Sequence, residues 1–369
     1  MEHHNPLLRG SENGKKFITI GEIMLRLTPP NYEKIRMTSS FEASYGGSEA
    51  NIALALANLG IDSTFFSVVP NNSLGKSAVR WLRSNDVHCT PMILSTPEET
   101  PTHRLGTYYL ETGYGIRPSK VTYDRKHSAI TEYDFSSVDV DALLEGFDWL
   151  HLSGITPALC PGCQTLIAEC IKTAKKKDII VSFDGNFRSQ LWSWEEARDF
   201  CTECLPYVDV LLGTEPYHLW KDENDHSKGD WKDGIPFQPT YEQQDEVFRH
   251  FIEKYPNIKC IARHVRYAHS GSENSLKAFM WYEGHTFESR LFTFNILDRV
   301  GGGDAFASGL IYAMMNDFKP MDMVNFAVAS SAIKHTIHGD GNITDDVQSI
   351  RNLMNMNYDI KRLILGKKD

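Results

Sequence analysis

Three stretches of this chain combine residue types that do chemistry on anions. The first is "LDRVGGGDAFASGL", residues 297 to 310. Gly301, Gly302 and Gly303 strip the backbone bare just before an apolar helical pattern. Exposed N–H groups at a helix start suit a bound anion and stabilise developing negative charge. Asp304 follows at once, in the first turn, where the helix dipole favours an ionised carboxylate. With a hydroxyl between the two, Asp304 can take its proton while the oxygen attacks phosphorus. Taken alone, these residues fit an ordinary helix-start acid after a glycine turn equally well. GxxxxGK[ST] and GxGxxG are both absent, which excludes a P-loop and disfavours a Rossmann dinucleotide site. The second stretch is "DGNFR", Asp184 to Arg188, directly after the strand pattern "IIVSF". Polar groups at the carboxyl end of a parallel strand line the ligand crevice, and an arginine there can hold a carboxylate or phosphate bidentately. A surface ion pair is the competing reading of Arg188. The third is "YGGSEANIA", 45 to 53, a glycine pair at a helix start with Asn51 as a hydrogen-bonding side chain. By itself it reads as a plain tight turn before a helix.

These residues need a frame, and the hydrophobic pattern provides one. Strand patterns such as "KFITIGE", "STFFSVVP", "FDWLHLSG", "IIVSFDGN", "VDVLLGT" and "IKCIARH" alternate with amphipathic helices. That alternation predicts an α/β fold with a mostly parallel sheet and helices on both faces. Residues 23–45 and 91–127 break it, being rich in strand formers and turn residues, and predict a small β-rich lid. Residues 17–355 read as one domain, 1–16 as a flexible N-terminal arm, and 221–234 as a polar surface insertion. With 369 residues, 41% hydrophobic, the chain can bury a large core. Its net charge of -10 speaks against a nucleic-acid surface, though not against a nucleotide. The longest apolar runs are strand-sized, so no membrane partner is expected. The polar N-terminus, with His3-His4, lacks the apolar core of a signal peptide. Together with seven cysteines, an odd count, this predicts a cytoplasmic protein with free thiols. The pairs Cys160/Cys163 and Cys201/Cys204 have metal or redox spacing, but they stand far apart with a strand pattern between them. Core packing accounts for them better.

Taken together, Gly46-Gly47 with Asn51, Asp184-x-Asn186-x-Arg188, and Asp298 followed by Gly301-Gly302-Gly303-Asp304 resemble the ribokinase-like carbohydrate kinases. The resemblance runs over about 17 to 355 and is closest to the 2-keto-3-deoxygluconate kinases (2-dehydro-3-deoxygluconokinases). It is carried by "GEIMLRLTP", "GGSEANIALALANLG", "YDRKHSA", "HLSGITPAL", "FDGNFRSQLWSWEEAR" and "DRVGGGDAF". It implies a three-layer α/β/α domain with a lid, and ATP-dependent phosphorylation of a primary hydroxyl of the sugar acid. Asp304 would be the base, and Gly301, Gly302 and Gly303 the anion hole. Gly47, Asn51, Tyr109, Tyr123, Arg125, Arg188 and Asp340 would contact the sugar acid, with Asn186, Arg188 and Arg263 toward the nucleotide. ATP with Mg2+ is implied; many members also bind a K+-like monovalent cation. Relatives often pair through their lids, which "LGTYYL" would suit, so a homo-oligomer is expected.

Three departures stand out. The family's Asn-x-x-Glu falls on Thr214 and Tyr217, which questions the magnesium-orienting acid unless Glu215 substitutes. The usual nucleotide glycine loop is replaced by "IARHVRYAHSGSENSLKAFMW", where Arg263 and Asn274 are the candidates. Gly302 stands where Ala is commoner. These leave two rivals: a neutral-sugar kinase of fructokinase or ribokinase type, and a non-catalytic sugar-acid-binding relative. Arg125 and Arg188 favour the sugar acid, and Asp304 beside the glycines favours catalysis.

Overall fold

The computed structural model describes residues 15–219, 231–232, 235–236, 238–343 and 346–356. Most of the expected N-terminal arm, His3-His4 included, and nearly all of the 221–234 insertion lie outside the described residues. The strands are β1 (Lys16–Ile20), β2 (Met24–Thr28), β3 (Glu42–Gly46), β4 (Asp62–Phe66), β5 (Val68–Pro70), β6 (Ile93–Ser95), β7 (Thr107–Glu111), β8 (Lys120–Asp124), β9 (Trp149–Ser153), β10 (Ile180–Asp184), β11 (Val210–Leu212), β12 (Trp231–Lys232), β13 (Ile235–Pro236), β14 (Cys260–Ala268), β15 (Glu273–Tyr282), β16 (His285–Glu288) and β17 (Phe292–Asn295). The α-helices are α1 (Ser48–Asn58), α2 (Ser73–Arg83), α3 (Ala129–Glu132), α4 (Val140–Leu143), α5 (Pro161–Lys176), α6 (Trp194–Cys204), α7 (Tyr241–Lys254), α8 (Gly302–Met315), α9 (Pro320–Lys334) and α10 (Val347–Asn355).

The main sheet runs β16-β15-β14-β11-β10-β9-β1-β4. From β4 to β14 all neighbours are parallel; β15 and its partners β14, β16 and β17 are antiparallel. Its central strands read as near-continuous apolar runs because both faces are covered. Alternate residues go to opposite cores: Ile18, Leu150, Val181 and Leu211 pack with α5 and α7, whereas Phe17, Trp149, Val210 and Ala262 pack with α8 and α9. This is the expected three-layer α/β/α architecture. Helix starts are well specified. Capping boxes stand at Ser193/Glu196 before α6 and at Thr240/Gln243 before α7, and Asn72 caps α2. Between α8 and α9, Gly309 permits close contact, since a Cβ there would stand 2.9 Å from Ser330. Cys163, Cys170, Cys201 and Cys204 pack in the α5 and α6 core, and all seven cysteines are free thiols.

A four-stranded sheet, β3-β2-β7-β8, stands apart from the main one. Its strands show the alternating burial of a one-sided sheet, as in β7. Two sequence expectations need correction here. "STFFSVVP" is two strands, not one: after Ser67 the chain leaves the main sheet, and Val68–Pro70 pairs with Ile93–Ser95. Ile93–Ser95 therefore belongs to this separate pair and not to the four-stranded sheet, although it falls within 91–127. Among the described residues, no helix is long and apolar enough to cross a membrane.

Candidate active site

The carboxyl ends of β1, β9 and β10 and the starts of α1 and α8 converge on a cavity of about 510 Å³. At its floor is the glycine turn. Gly301 has φ 81°, in the left-handed region, and a Cβ there would stand 2.0 Å from the Asp340 carbonyl oxygen. A Cβ on Gly302 would stand 2.4 Å from the His335 ring. Glycine in place of the commoner Ala is thus matched to an imidazole packed on the turn. The first N–H groups of α8 have no carbonyl a turn earlier and no side-chain cap, and the residues that carry them, Gly302 to Asp304, line the cavity. Gly47 has a similar reason to be glycine, since a Cβ would stand 1.9 Å from the Glu22 carbonyl oxygen.

Asp304 sits on that first turn, and α1 holds it. Ser48 Oγ donates to one carboxylate oxygen at 2.7 Å and Asn51 Nδ2 to the other at 2.7 Å. Ser48 and Asn51 are three apart and so share a helix face. Asn186 Nδ2 donates to Ser48 Oγ at 3.0 Å, extending the network to β10. Asn186 itself lies at φ 37°, a conformation asparagine tolerates well, and its N–H donates to Asp184 Oδ1 at 3.0 Å. Burial pushes the Asp304 carboxyl above its usual range, against the pull of Asn51, Ser48 and Arg188. Burial and then the Asp304 charge push Asp184 up to about 7, against Arg188 and the Asn186 N–H. Glu49, buried beside them, accepts from Ser153 Oγ at 2.6 Å and Thr156 Oγ1 at 2.8 Å, and burial raises it as well.

The four-stranded sheet covers the other end. Tyr123 and Arg125 line the cavity there, opposite Arg188. Arg125 Nε donates to Glu22 at 2.9 Å, and Ser128 Oγ donates to the same carboxylate at 2.6 Å. The Arg125 charge is therefore already matched. Exposed Arg188 donates to the Phe187 carbonyl at 3.2 Å and has no carboxylate within ion-pair distance among the described residues. Asp340 reaches the cavity, but its oxygens are engaged: Arg26 donates to it at 2.6 Å and Tyr108 OH donates to it. Arg26 also donates to Asp298 at 2.5 Å. Burial works to lower Arg26, yet Asp340 and Asp298 outweigh it and raise it further.

Of the residues singled out in the sequence, Gly47, Asn51, Tyr123, Arg125, Asn186, Arg188, Gly301 to Asp304 and Asp340 line one cavity. Tyr109 does not. Strand alternation turns it to the outer face, against Phe41, and its neighbour Tyr108 faces the cavity instead. Arg263 lies off the main cavity, in a neighbouring one of about 460 Å³ beyond the glycine turn, where it donates to Gln244 Oε1 at 3.1 Å. Asn274 is buried in β15 and lines neither cavity. Thr214 and Tyr217 are buried off the cavity; Glu215 is half-buried and faces Arg263 electrostatically. Sequence reasoning missed Ser48, although its i, i+3 spacing to Asn51 was visible. It also missed Arg26 and Tyr108, whose partners lie hundreds of positions away.

This arrangement offers a fixed carboxylate beside an anion cradle, an arginine-bearing end, and a second acid, Asp184, that has no ion pair among the described residues. Residues 15–225 match the model of the pfkB family carbohydrate kinases. The chain is similar to a 2-dehydro-3-deoxygalactonokinase of Haloferax volcanii, 30% identical over 88% of this chain and 92% of that one. It is also similar to the crystal structure of a Thermotoga maritima 2-dehydro-3-deoxygluconokinase, with 36% identity, TM-score 0.83, and 93% and 100% of the two chains covered. An Escherichia coli chain described as a candidate Ribokinase II and solved with ATP and Mg2+ shares the fold, at 18% identity and TM-score 0.72 over 92% and 99%. The chain belongs to the pfkB family of carbohydrate kinases.

Proposed function

We propose that this kinase transfers the terminal phosphoryl group of ATP to the primary hydroxyl of 2-keto-3-deoxygluconate. The observation that carries the reading is the position of Asp304. It is held by two neutral donors at the junction between the arginine-bearing end and the glycine turn. A sugar acid entering beneath the four-stranded sheet, which acts as the lid, meets Arg188 with its carboxylate. Its far hydroxyl then lies at Asp304. The carboxylate takes the proton as the oxygen attacks phosphorus in line, and the first-turn N–H groups of α8 receive the charge on the transferring group. No phosphoenzyme is needed. The lid excludes water that would otherwise take the phosphoryl group.

Mg2+ fits the donor chemistry. Asp184 is a hard oxygen donor whose carboxyl is raised by burial and by the Asp304 charge, a combination that a bound cation would relieve, and Glu215 is a second candidate. When bound, the ion neutralises phosphate charge. Asp184 and Asn186 would face it from the end of β10.

A coupled assay for ADP release, run over sugar acids and neutral sugars, tests the proposal. The keto-deoxy sugar acid should be the preferred substrate, with fructose and ribose far weaker. Arg188→Ala should lower kcat/KM for the sugar acid by about ten- to a hundredfold, the worth of a charged hydrogen bond, and leave neutral sugars nearly unchanged. Preference for a neutral sugar, or no ADP release with any sugar acid, would refute it. The galactose-derived epimer is the second reading, favoured by the Haloferax relative's name; the same panel separates the two.

A further inference from the structure

Two arginines near the glycine turn have no role in the chemistry described so far. Arg299 immediately precedes Val300 and the turn; Arg266 projects from β14. Both line the main cavity and its neighbour beyond the turn, and Gly302 and Gly303 are also common to the two. Neither arginine has a carboxylate partner among the described residues. The nearest acid in sequence, Asp298, is already engaged by Arg26, by the Gly339 N–H at 3.0 Å and by the Val300 N–H at 3.1 Å. Their mutual influence is unfavourable: desolvation and then the Arg299 charge push Arg266 down. Adjacent His335 adds no charge at neutral pH, because burial holds it at about 4.

Two guanidinium groups kept together without an acid, in a chain of net charge -10, leave room for an anion between them. We infer that Arg266 and Arg299 form a two-arginine clamp on the polyphosphate of the nucleotide. The clamp aligns the terminal phosphate with the α8 N–H groups. This rests on the reading of the site as an ATP-dependent kinase. A polyphosphate suits this place better than the sugar's carboxylate. Arg188 and Arg125 stand at the opposite end, in the part shared with a third cavity under the lid. The glycine end carries the uncapped N–H groups of α8 next to positive charge. The clamp also supplies charge from a different part of the chain than the segment holding Thr214 and Tyr217, both buried off the cavity.

The test uses the full chain with R266Q, R299Q, the double variant and R299K. Binding of a fluorescent ATP analogue is measured without sugar, with displacement by ATP, ADP and AMP; KM for ATP and for the sugar acid is measured separately. Each Gln variant should weaken ATP by about ten- to a hundredfold and the double variant by more. The loss should grade from ATP to AMP, R299K should retain part of the affinity, and KM for the sugar acid should move less than about twofold. Neither residue has an ion pair among the described residues that a substitution would break, so melting temperatures should hold. Unchanged ATP affinity in the double variant would overturn the clamp, as would a rise confined to the sugar-acid KM. If the wild type phosphorylates no sugar acid, the proposed substrate falls, and the displacement experiment still decides the clamp.

Discussion

The cavity has two sets of acids, and they are treated in opposite ways. On the lid side, Glu22, Asp340 and Asp298 each have an arginine: Arg125 for the first, Arg26 for the other two. Near the glycine turn, Asp304, Asp184 and Glu49 are held by hydroxyls, an amide and a backbone N–H, with no ion pair among the described residues. An ion pair matches a carboxylate's charge and fixes it in place, although burial still raises Asp340 against the pull of Arg26; neutral donors fix a carboxylate without matching its charge. The lid-side acids therefore organise structure, and the acids near the turn are left ready for protons and cations.

The largest effect should come from taking away the basic oxygen. Asp304→Asn keeps the size and the donors around it, and should lower kcat by about 10²–10⁴ with the melting temperature little changed. In the wild type, kcat should fall as the pH drops through the raised Asp304 value, because the protonated acid cannot accept a proton. Turnover within tenfold of wild type would break the assignment. Next comes the paired side. Arg26→Met would leave Asp298 and Asp340 buried without their cation, which should cost about 3–5 kcal/mol, read by denaturant unfolding. A loss under about 1 kcal/mol would mean that the ion pairs organise little.

The smallest effect should carry the opposite sign. Asp184 has a folded-state pKa of about 7 against an ordinary 3.8. Between those values the folded state holds a proton that the unfolded chain has released, so stability falls as pH rises from about 4 to 7. Asp184→Asn removes that penalty. Without nucleotide or Mg2+, it should stabilise the protein by on the order of 1–3 kcal/mol at pH 8, and less at pH 5, as followed by thermal melts. A destabilised variant at pH 8 would show that Arg188 and the Asn186 N–H outweigh the burial of Asp184.

Much of this site could be read from local sequence. Gly47, Asn51, Asn186, Arg188 and the run from Gly301 to Asp304 lie at strand ends or helix starts, where position along one element sets direction. Where local reasoning failed, the cause was alternation or distance. Tyr109 was named, and Tyr108 overlooked, because the sequence does not say which face of an isolated strand is covered. "STFFSVVP" looked like one strand because both halves are apolar, and only the pairing of Val68–Pro70 with Ile93–Ser95 divides it. Arg125 looked like a free positive charge until Glu22 came to lie against it, 103 positions away.

By itself, then, the sequence determined the alternation that makes the three-layer fold, the bare turn before α8, and the acid placed on it. Each depends on contacts within a few residues. The tertiary structure alone decided which acids are paired with an arginine and which are held by neutral donors. Arg26 meets Asp340 across 314 positions, and Asn51 meets Asp304 across 253. A carboxylate's basicity depends on its neighbours in space, and folding chooses those.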